Sequence, residues 1–394
     1  MQGMRTRSTR RVARAAGIAA LAVALLSGCL ESDVRVLSSD ALGGRANATP
    51  GSVSAQEYIL GYLEKWTDPV DSSATGRDAY KQQFDGGTNL LGIIPGTDLA
   101  DEYVLVGAHY DGLGTSCRRA TAEDTICNGA TDNATGAGIV IDIARHLYYG
   151  ARPRRSVVVA FWDREEDGLL GATAFADEPR VSLDDIVAYV NFDIQGANLR
   201  PSGRDLTFAV GAETGGPVLT EATRAAADPS PLDTRLLSLI FGLGRSDHAV
   251  FAARGVPSVF LTDSTGPCYH TVDDEAAVVD FSKLRAQSDT ARRLVVDLAS
   301  RDDRPTFATG LPLATFSDAE SVAGLLQRLT ADRETFSDAD WATFLDRKAV
   351  IDGVVAAGPG AFDQTAMTSM LLAINDVVNL LARADCDGYL AIPD

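Results

Sequence analysis

Positive charge is what this 394-residue chain most lacks: 35 lysines and arginines face 54 aspartates and glutamates, for a net charge of −19. Residues 1–28 hold five of those arginines and no acid, so the remainder stands near −24. A surface of that sign repels nucleic acid and anionic lipid, which excludes functions that rest on neutralising phosphates. Histidine is scarce, at four residues, and none of the five cysteines falls in a CxxC pair, which argues against a cysteine-built zinc site. No internal repeat occurs, and no low-complexity tract follows the first segment. With 45% hydrophobic residues, the chain can bury one large core and a smaller second unit.

The first segment, MRTRSTRRVARAAGIAALAVALLSGC, sets Arg5, Arg7, Arg10, Arg11 and Arg14 ahead of an apolar run from Ala15 to Leu26. That run is too short to cross a bilayer as a mature helix and reads as an export signal. Leu26-Ser27-Gly28-Cys29 resembles the lipobox of bacterial lipoproteins. The resemblance implies a signal peptide over 1–28, a lipidated Cys29, and a chain anchored in the bacterial cell envelope by several acyl groups, since one holds only marginally. Arg10-Arg11 leaves twin-arginine export open beside the general route. In an exported chain, Cys117 and Cys127 in the polar GTSCRRATAEDTICNGA are expected to close a disulfide loop worth roughly 3 kcal/mol. Pairing of Cys268 with Cys386 stays open.

From residue 88 onward, short β-branched runs alternate with helical patterns: strands in TNLLGIIPG, EYVLVGAHYD, SVVVAFW, AYVNFD, LTFAVG and PSVFLTD, helices in GAGIVIDIARHLYY, LLGATAFA, GPVLTEATRAAA and DHAVFAARG. This is the pattern of an α/β three-layer sandwich with a mixed, largely parallel central sheet. Continuous apolar strands such as YVLVGA and VVVAF fit central positions covered on both faces, and ligands bind at the carboxyl ends of such strands. Past Pro305 the texture becomes helical, near 317–331, 338–356 and 362–384, with Ser337 as an N-cap. The organisation expected is therefore a signal peptide 1–28, a main domain 29–310 and a C-terminal helical extension 311–394.

The informative polar residues sit at those strand ends. His109 and Asp111 close YVLVGAHYD, Asp132 lies in the glycine-rich NGATDNATGAG, Glu165 and Glu166 follow VVVAFW, Asp193 follows AYVNF, and His270 follows PSVFLTDSTGPCY. Carboxylates gathered at one half-buried place repel one another and take up protons unless cations compensate them, which favours divalent metal. Oxygen and imidazole donors of this kind suit zinc. A glycosidase built on the acid pair is the poorer fit, because Glu165 and Glu166 are adjacent and the histidines would have no part. His146 reads as structural or exposed, His248 as either a helix-start residue behind the N-cap candidate Ser246 or a candidate for a pocket role, Asp247 as a first-turn carboxylate that suits the helix dipole, and Asp163 and Asp167 as solvated neighbours of the pair.

VGAHYDG, GATDNATGAG, EEDGLLGA, NFDIQG, SDHAVFAARGVPSVFL and YHTVDD, in this order, resemble the motifs of the M28 family of co-catalytic zinc peptidases, which includes bacterial aminopeptidases. The resemblance spans roughly residues 33–305. It implies two zinc ions, one among His109, Asp132 and Asp193 and the other among Asp132, Glu166 and His270, with Asp132 bridging. It also implies Glu165 as general base, Asp111 as the carboxylate that orients His109, a cis peptide after Asp132, and peptide substrates. Carboxypeptidase and glutaminyl cyclase activities on the same fold, and a metal-free binding protein, are the alternatives; Arg245 in GRSDH is the candidate for meeting a substrate carboxylate. Arg164, where the family has a small residue, either depresses the pKa of Glu165 or points away.

Overall fold

The computed structural model describes residues 30–383 and Cys386. The export signal and the lipidation site at Cys29 lie outside those residues. No described helix is long and apolar enough to cross a membrane.

The strands are β1 (Asp68–Pro69), β2 (Lys81–Phe84), β3 (Gly87–Ile94), β4 (Leu99–His109), β5 (Arg155–Trp162), β6 (Ile186–Phe192), β7 (Leu206–Val210), β8 (Asp233–Leu237) and β9 (Ser258–Thr262). They form one sheet in the order β1-β3-β5-β4-β6-β9-β7-β8, with β2 paired to β3. The centre, β5-β4-β6-β9, is parallel; β3 joins β5, and β7 joins β9, antiparallel. The sheet is thus mixed, with its parallel part in the middle.

Around it stand α1 (Pro50–Trp66), α2 (Thr135–Tyr149), α3 (Leu170–Asp177), α4 (Gly216–Ala227), α5 (His248–Ala252) and α6 (Phe281–Ser300). Strand alternation sorts the central residues between two cores. Val104, Val106, Val157 and Val159 pack with Ile139, Ile143 and Leu294 on the face covered by α2 and α6. Leu105, Val158 and Trp162 pack with Phe175 and Phe251 of α3 and α5 on the other. Both faces being covered explains why all of β5 is buried. Each large apolar side chain so buried contributes roughly 1.5–3 kcal/mol.

The remaining helices are α7 (Phe316–Leu329), α8 (Asp338–Ala357) and α9 (Gln364–Leu381). Ser337 caps α8, its hydroxyl accepting from the Asp340 N–H at 3.1 Å. These three share a core of their own, Leu326, Phe344, Ile351, Met370 and Val377 among others, which runs on to Leu237, Ile240 and Phe241 beside β8. Strand β8 and helix α6 are absent from the sequence reading. The first is a half-buried edge in which Asp233 and Arg235 pair with each other, so DTRLL shows no apolar run. The second is mostly polar, and its apolar stripe of Leu284, Ala291, Leu294 and Leu298 emerges only at helical spacing.

Candidate active site

Parallel register delivers the site. His109 pairs with Trp162 in the ladder, so β4 and β5 end level with each other, and His109 and Asp111 emerge beside Glu165 and Glu166. Asp132 arrives on the irregular turn Ala130–Ala134 that opens α2, and its peptide bond to Asn133 is cis. That turn is held from all sides. Gly129 takes a left-handed φ of 55°, and a Cβ there would strike the Asp132 carbonyl. The Asn133 side chain donates to the Phe192 carbonyl at 2.8 Å and accepts from the Gly136 N–H at 3.0 Å. Buried Asp274 accepts from the Thr131 N–H and hydroxyl at 2.9 and 2.8 Å and from the Asp132 N–H at 3.1 Å. Arg45, 1% exposed, donates to the carbonyls of Leu37, Tyr110, Asn128 and Gly129. Neither Arg45 nor Asp274 was singled out from sequence, because each serves backbone rather than ligand.

Two donor groups result, His109, Asp132 and Asp193, and Asp132, Glu166 and His270. His109 Nε2 stands 3.1 Å from Asp132 Oδ1 and 3.5 Å from Asp193 Oδ1; His270 Nε2 stands 3.1 Å from Asp132 Oδ2 and 3.2 Å from Glu166 Oε2. Tetrahedral ligands held about 2.0–2.1 Å from zinc lie roughly 3.3 Å from one another, so the spacing matches. The buried Nε2 atoms of His109 and His270 and Oδ1 of Asp193 have no hydrogen-bond partner among the described residues. Atoms so orphaned are costly unless a cation satisfies them. The residues therefore fit two zinc ions that share Asp132.

Electrostatics agree. Burial pushes the imidazole of His109 down, yet the carboxylates of Asp193 and Glu165 carry it well above its usual range. His270 likewise overcomes burial and is pushed up to about 10 by Asp132 and Glu166. Burial raises Asp193 and Glu166, each further raised by Asp132. Asp274 is pushed up to about 7, chiefly by burial. In Asp132 the two imidazoles outweigh burial and hold the carboxyl low. Left to themselves, these groups keep protons where divalent cations would sit.

Glu165 belongs to neither donor group. Its carboxyl is raised well above the usual range by burial and by the charges of Asp193, Asp247 and Asp132, with His109 opposing. Asp111 Oδ1 stands 3.4 Å from His109 Nδ1, longer than a good hydrogen bond, and its two oxygens accept the N–H groups of Glu165 and Glu166 at 3.1 and 3.3 Å. Arg164 turns away, bonding Asp167 at 2.8 Å and the Asp85 carbonyl at 3.1 Å. Asp163 corrects the sequence reading: it is 1% exposed, not solvated, and accepts from Asn47 and the Thr88 N–H.

His248 is buried and stacked on Phe260, ring centroids 4.4 Å apart, and burial pushes its imidazole down to about 3. It lies behind the site wall as a neutral packing ring. Its neighbour Asp247 is the residue that sequence undervalued. Read as a helix-dipole carboxylate, it is fully buried with neither oxygen hydrogen-bonded among the described residues, close enough to Asp193 and Glu165 for their charges to couple.

A cavity of about 130 Å³ opens from Asp132, Glu165 and Asp193. Disulfides join Cys117 to Cys127 and Cys268 to Cys386. The first closes a loop beside the Glu166–His270 side, where Cys127 lines a small cleft; the second fastens the far end of the described chain two residues before His270.

A sequence profile for "Peptidase family M28" matches residues 89–295. The chain is 28% identical to the aminopeptidase NAALADL1 of Mus musculus over 75% of its own length and 42% of that protein's. It is 30% identical to a probable glutamate carboxypeptidase, LAMP1, of Arabidopsis thaliana over 48% of its length and 27% of that protein's. The chain thus spans less than half the length of these curated relatives. In structure it resembles a Zn-dependent exopeptidase from Parabacteroides distasonis, with a TM-score of 0.56 at 18% identity, covering 69% of this chain and 98% of that one.

Proposed function

The chain belongs to peptidase family M28, and from that premise we propose that it is a two-zinc aminopeptidase, exported and lipid-anchored. The observation that carries the proposal is the pair of donor groups sharing Asp132, with Glu165 beside both and part of neither. His109, Asp132 and Asp193 would hold one zinc, and Asp132, Glu166 and His270 the other. Bound there, the ions would supply Lewis acidity for the scissile carbonyl and lower the pKa of the attacking water.

Glu165 would take the proton from the attacking water and hand it to the departing amine, a task served by a carboxyl that burial raises well above its usual range. Asp111 steadies His109 and, through two backbone N–H groups, fixes the bend that separates Glu165 from Glu166. Three acids, Asp132, Glu165 and Asp193, line the cavity against one basic side chain, Arg245, among the described residues. That balance favours a free ammonium over a free carboxylate at the scissile end. Carboxypeptidase activity has one observation in its favour, the basic side chain of Arg245 on the same cavity.

The two disulfides support an oxidising compartment outside the cytoplasm. Anchoring through Cys29 rests on the sequence of residues 1–29 alone. The test is hydrolysis of matched free and N-acetylated peptides by the zinc-loaded chain. Release of amino-terminal residues from free peptides alone supports the proposal. Release of carboxyl-terminal residues from acetylated peptides overturns its aminopeptidase part.

A further inference from the structure

The cavity that starts at Asp132, Glu165 and Asp193 does not end with the family domain. One side is Phe208, Val210 and Phe260 from the sheet; the other is Leu325 of α7 with Ile374 and Val378 of α9. Those helices begin beyond residue 295, where the family match stops. Away from the metal-binding end, the one charged side chain on the described lining is Arg245.

We propose that the C-terminal extension builds the apolar wall of the substrate pocket, so that this chain selects peptides whose residue at the cleaved bond carries a large aliphatic or aromatic side chain. The inference rests on the peptidase reading above and adds the substrate class to it. Volume sets the occupant: an apolar protein cavity of roughly 150 Å³ takes up benzene, so about 130 Å³ suits a leucyl or phenylalanyl group. An alanyl side chain leaves most of that space without contacts, and a lysyl ammonium would lose its hydration with no acidic partner on the described lining at the apolar end.

The wall is fixed in place. Asp318 of α7 accepts from the Ser238 N–H and hydroxyl at 2.8 and 2.7 Å, and Asp332 accepts from the Ser202 N–H at 3.0 Å. The Arg200 guanidinium stacks 4.2 Å from the centroid of Phe336. The Cys268–Cys386 disulfide ties the end of the extension to the loop bearing His270. A surface pinned at both ends and facing the reacting groups positions substrate.

The experiment compares kcat/KM of the zinc-loaded full chain on leucyl, phenylalanyl, alanyl, lysyl and glutamyl peptides of one series. Each added methylene in an apolar pocket is worth roughly four-fold, so leucine is expected to exceed alanine by tens of fold, with lysine lower still. Ile374→Trp fills the pocket and lowers the leucine-to-alanine ratio at least ten-fold; Leu325→Ala enlarges it and raises the phenylalanine-to-leucine ratio. L-leucine amide raises the melting temperature of the unmodified chain more than L-alanine amide does, and Ile374→Trp removes the difference. A leucine-to-alanine ratio near one, or ratios unmoved by both variants, overturns the inference while leaving the peptidase reading intact. Absence of any cleavage by a chain holding two zinc ions overturns the peptidase reading and the inference with it.

Discussion

Replacing Asp111 by asparagine keeps the shape of the side chain and removes one oxygen and the charge. Each carboxylate oxygen now receives one backbone N–H, from Glu165 and from Glu166, while Oδ1 also faces His109 Nδ1. An amide offers one acceptor and one donor, so one of those N–H groups must face an NH₂. A buried donor left without its acceptor costs about 1–3 kcal/mol. Loss of the carboxylate behind His109 further lowers zinc affinity by roughly 10–100-fold, about 1.4–2.7 kcal/mol. Both effects separate in the assay. Chelator competition reads zinc affinity, where one of the two zinc equivalents should weaken by that factor. Denaturant unfolding of the zinc-free chain reads the cost in stability. A variant with unaltered zinc affinity at both sites and unaltered unfolding would falsify the reasoning that Asp111 supports both the histidine and the glutamate bend.

Glu165→Gln should lower kcat by roughly 10²–10⁴-fold with two zinc ions retained, and retained turnover would sink the assignment of the base. Glu166→Gln, by contrast, replaces an anionic ligand by a weaker neutral amide, so atomic absorption should find fewer than two zinc ions per chain after gel filtration; full occupancy would contradict its place in the donor group. His248 titrates near 6.5 when unfolded and is held down to about 3 in the fold, so between those values the unfolded state binds the extra proton. Stability contributed by the neutral buried ring is complete above pH 6.5 and declines as pH falls, by about 2 kcal/mol at pH 5. His248→Phe should keep the stack on Phe260 and flatten that part of the pH profile of the melting temperature; an unchanged slope would refute it.

The sequence exposed the parallel centre of the sheet because those strands are covered on both faces and so are written as unbroken apolar runs. The donor residues were legible for a related reason: they cap those runs, where a buried strand has no other use for His109, Glu166 or Asp193. What escaped was support carried through backbone. Arg45 spends its guanidinium on four carbonyls contributed by segments up to 84 residues away, and no local pattern encodes that. Asp247 looked like an ordinary acid in a helix's first turn, and only its tertiary placement near His109 and Asp193 leaves it buried and without a hydrogen-bond partner among the described residues. The extension had readable helices and caps, but its relation to the cavity depends on tertiary packing. Arg164 had two readings from sequence, and its bonds to Asp167 and Asp85 select the one in which Glu165 is left alone.

The central claim is a pair of zinc ions sharing Asp132 at a site that hydrolyses the first peptide bond. It is tested most directly by titrating zinc into the chelator-stripped chain while following release of leucine from a free leucyl peptide. No turnover is expected at zero zinc, and full activity on reaching two equivalents per chain. Turnover by the metal-free chain, or activity complete at one equivalent and unchanged by the second, would contradict it.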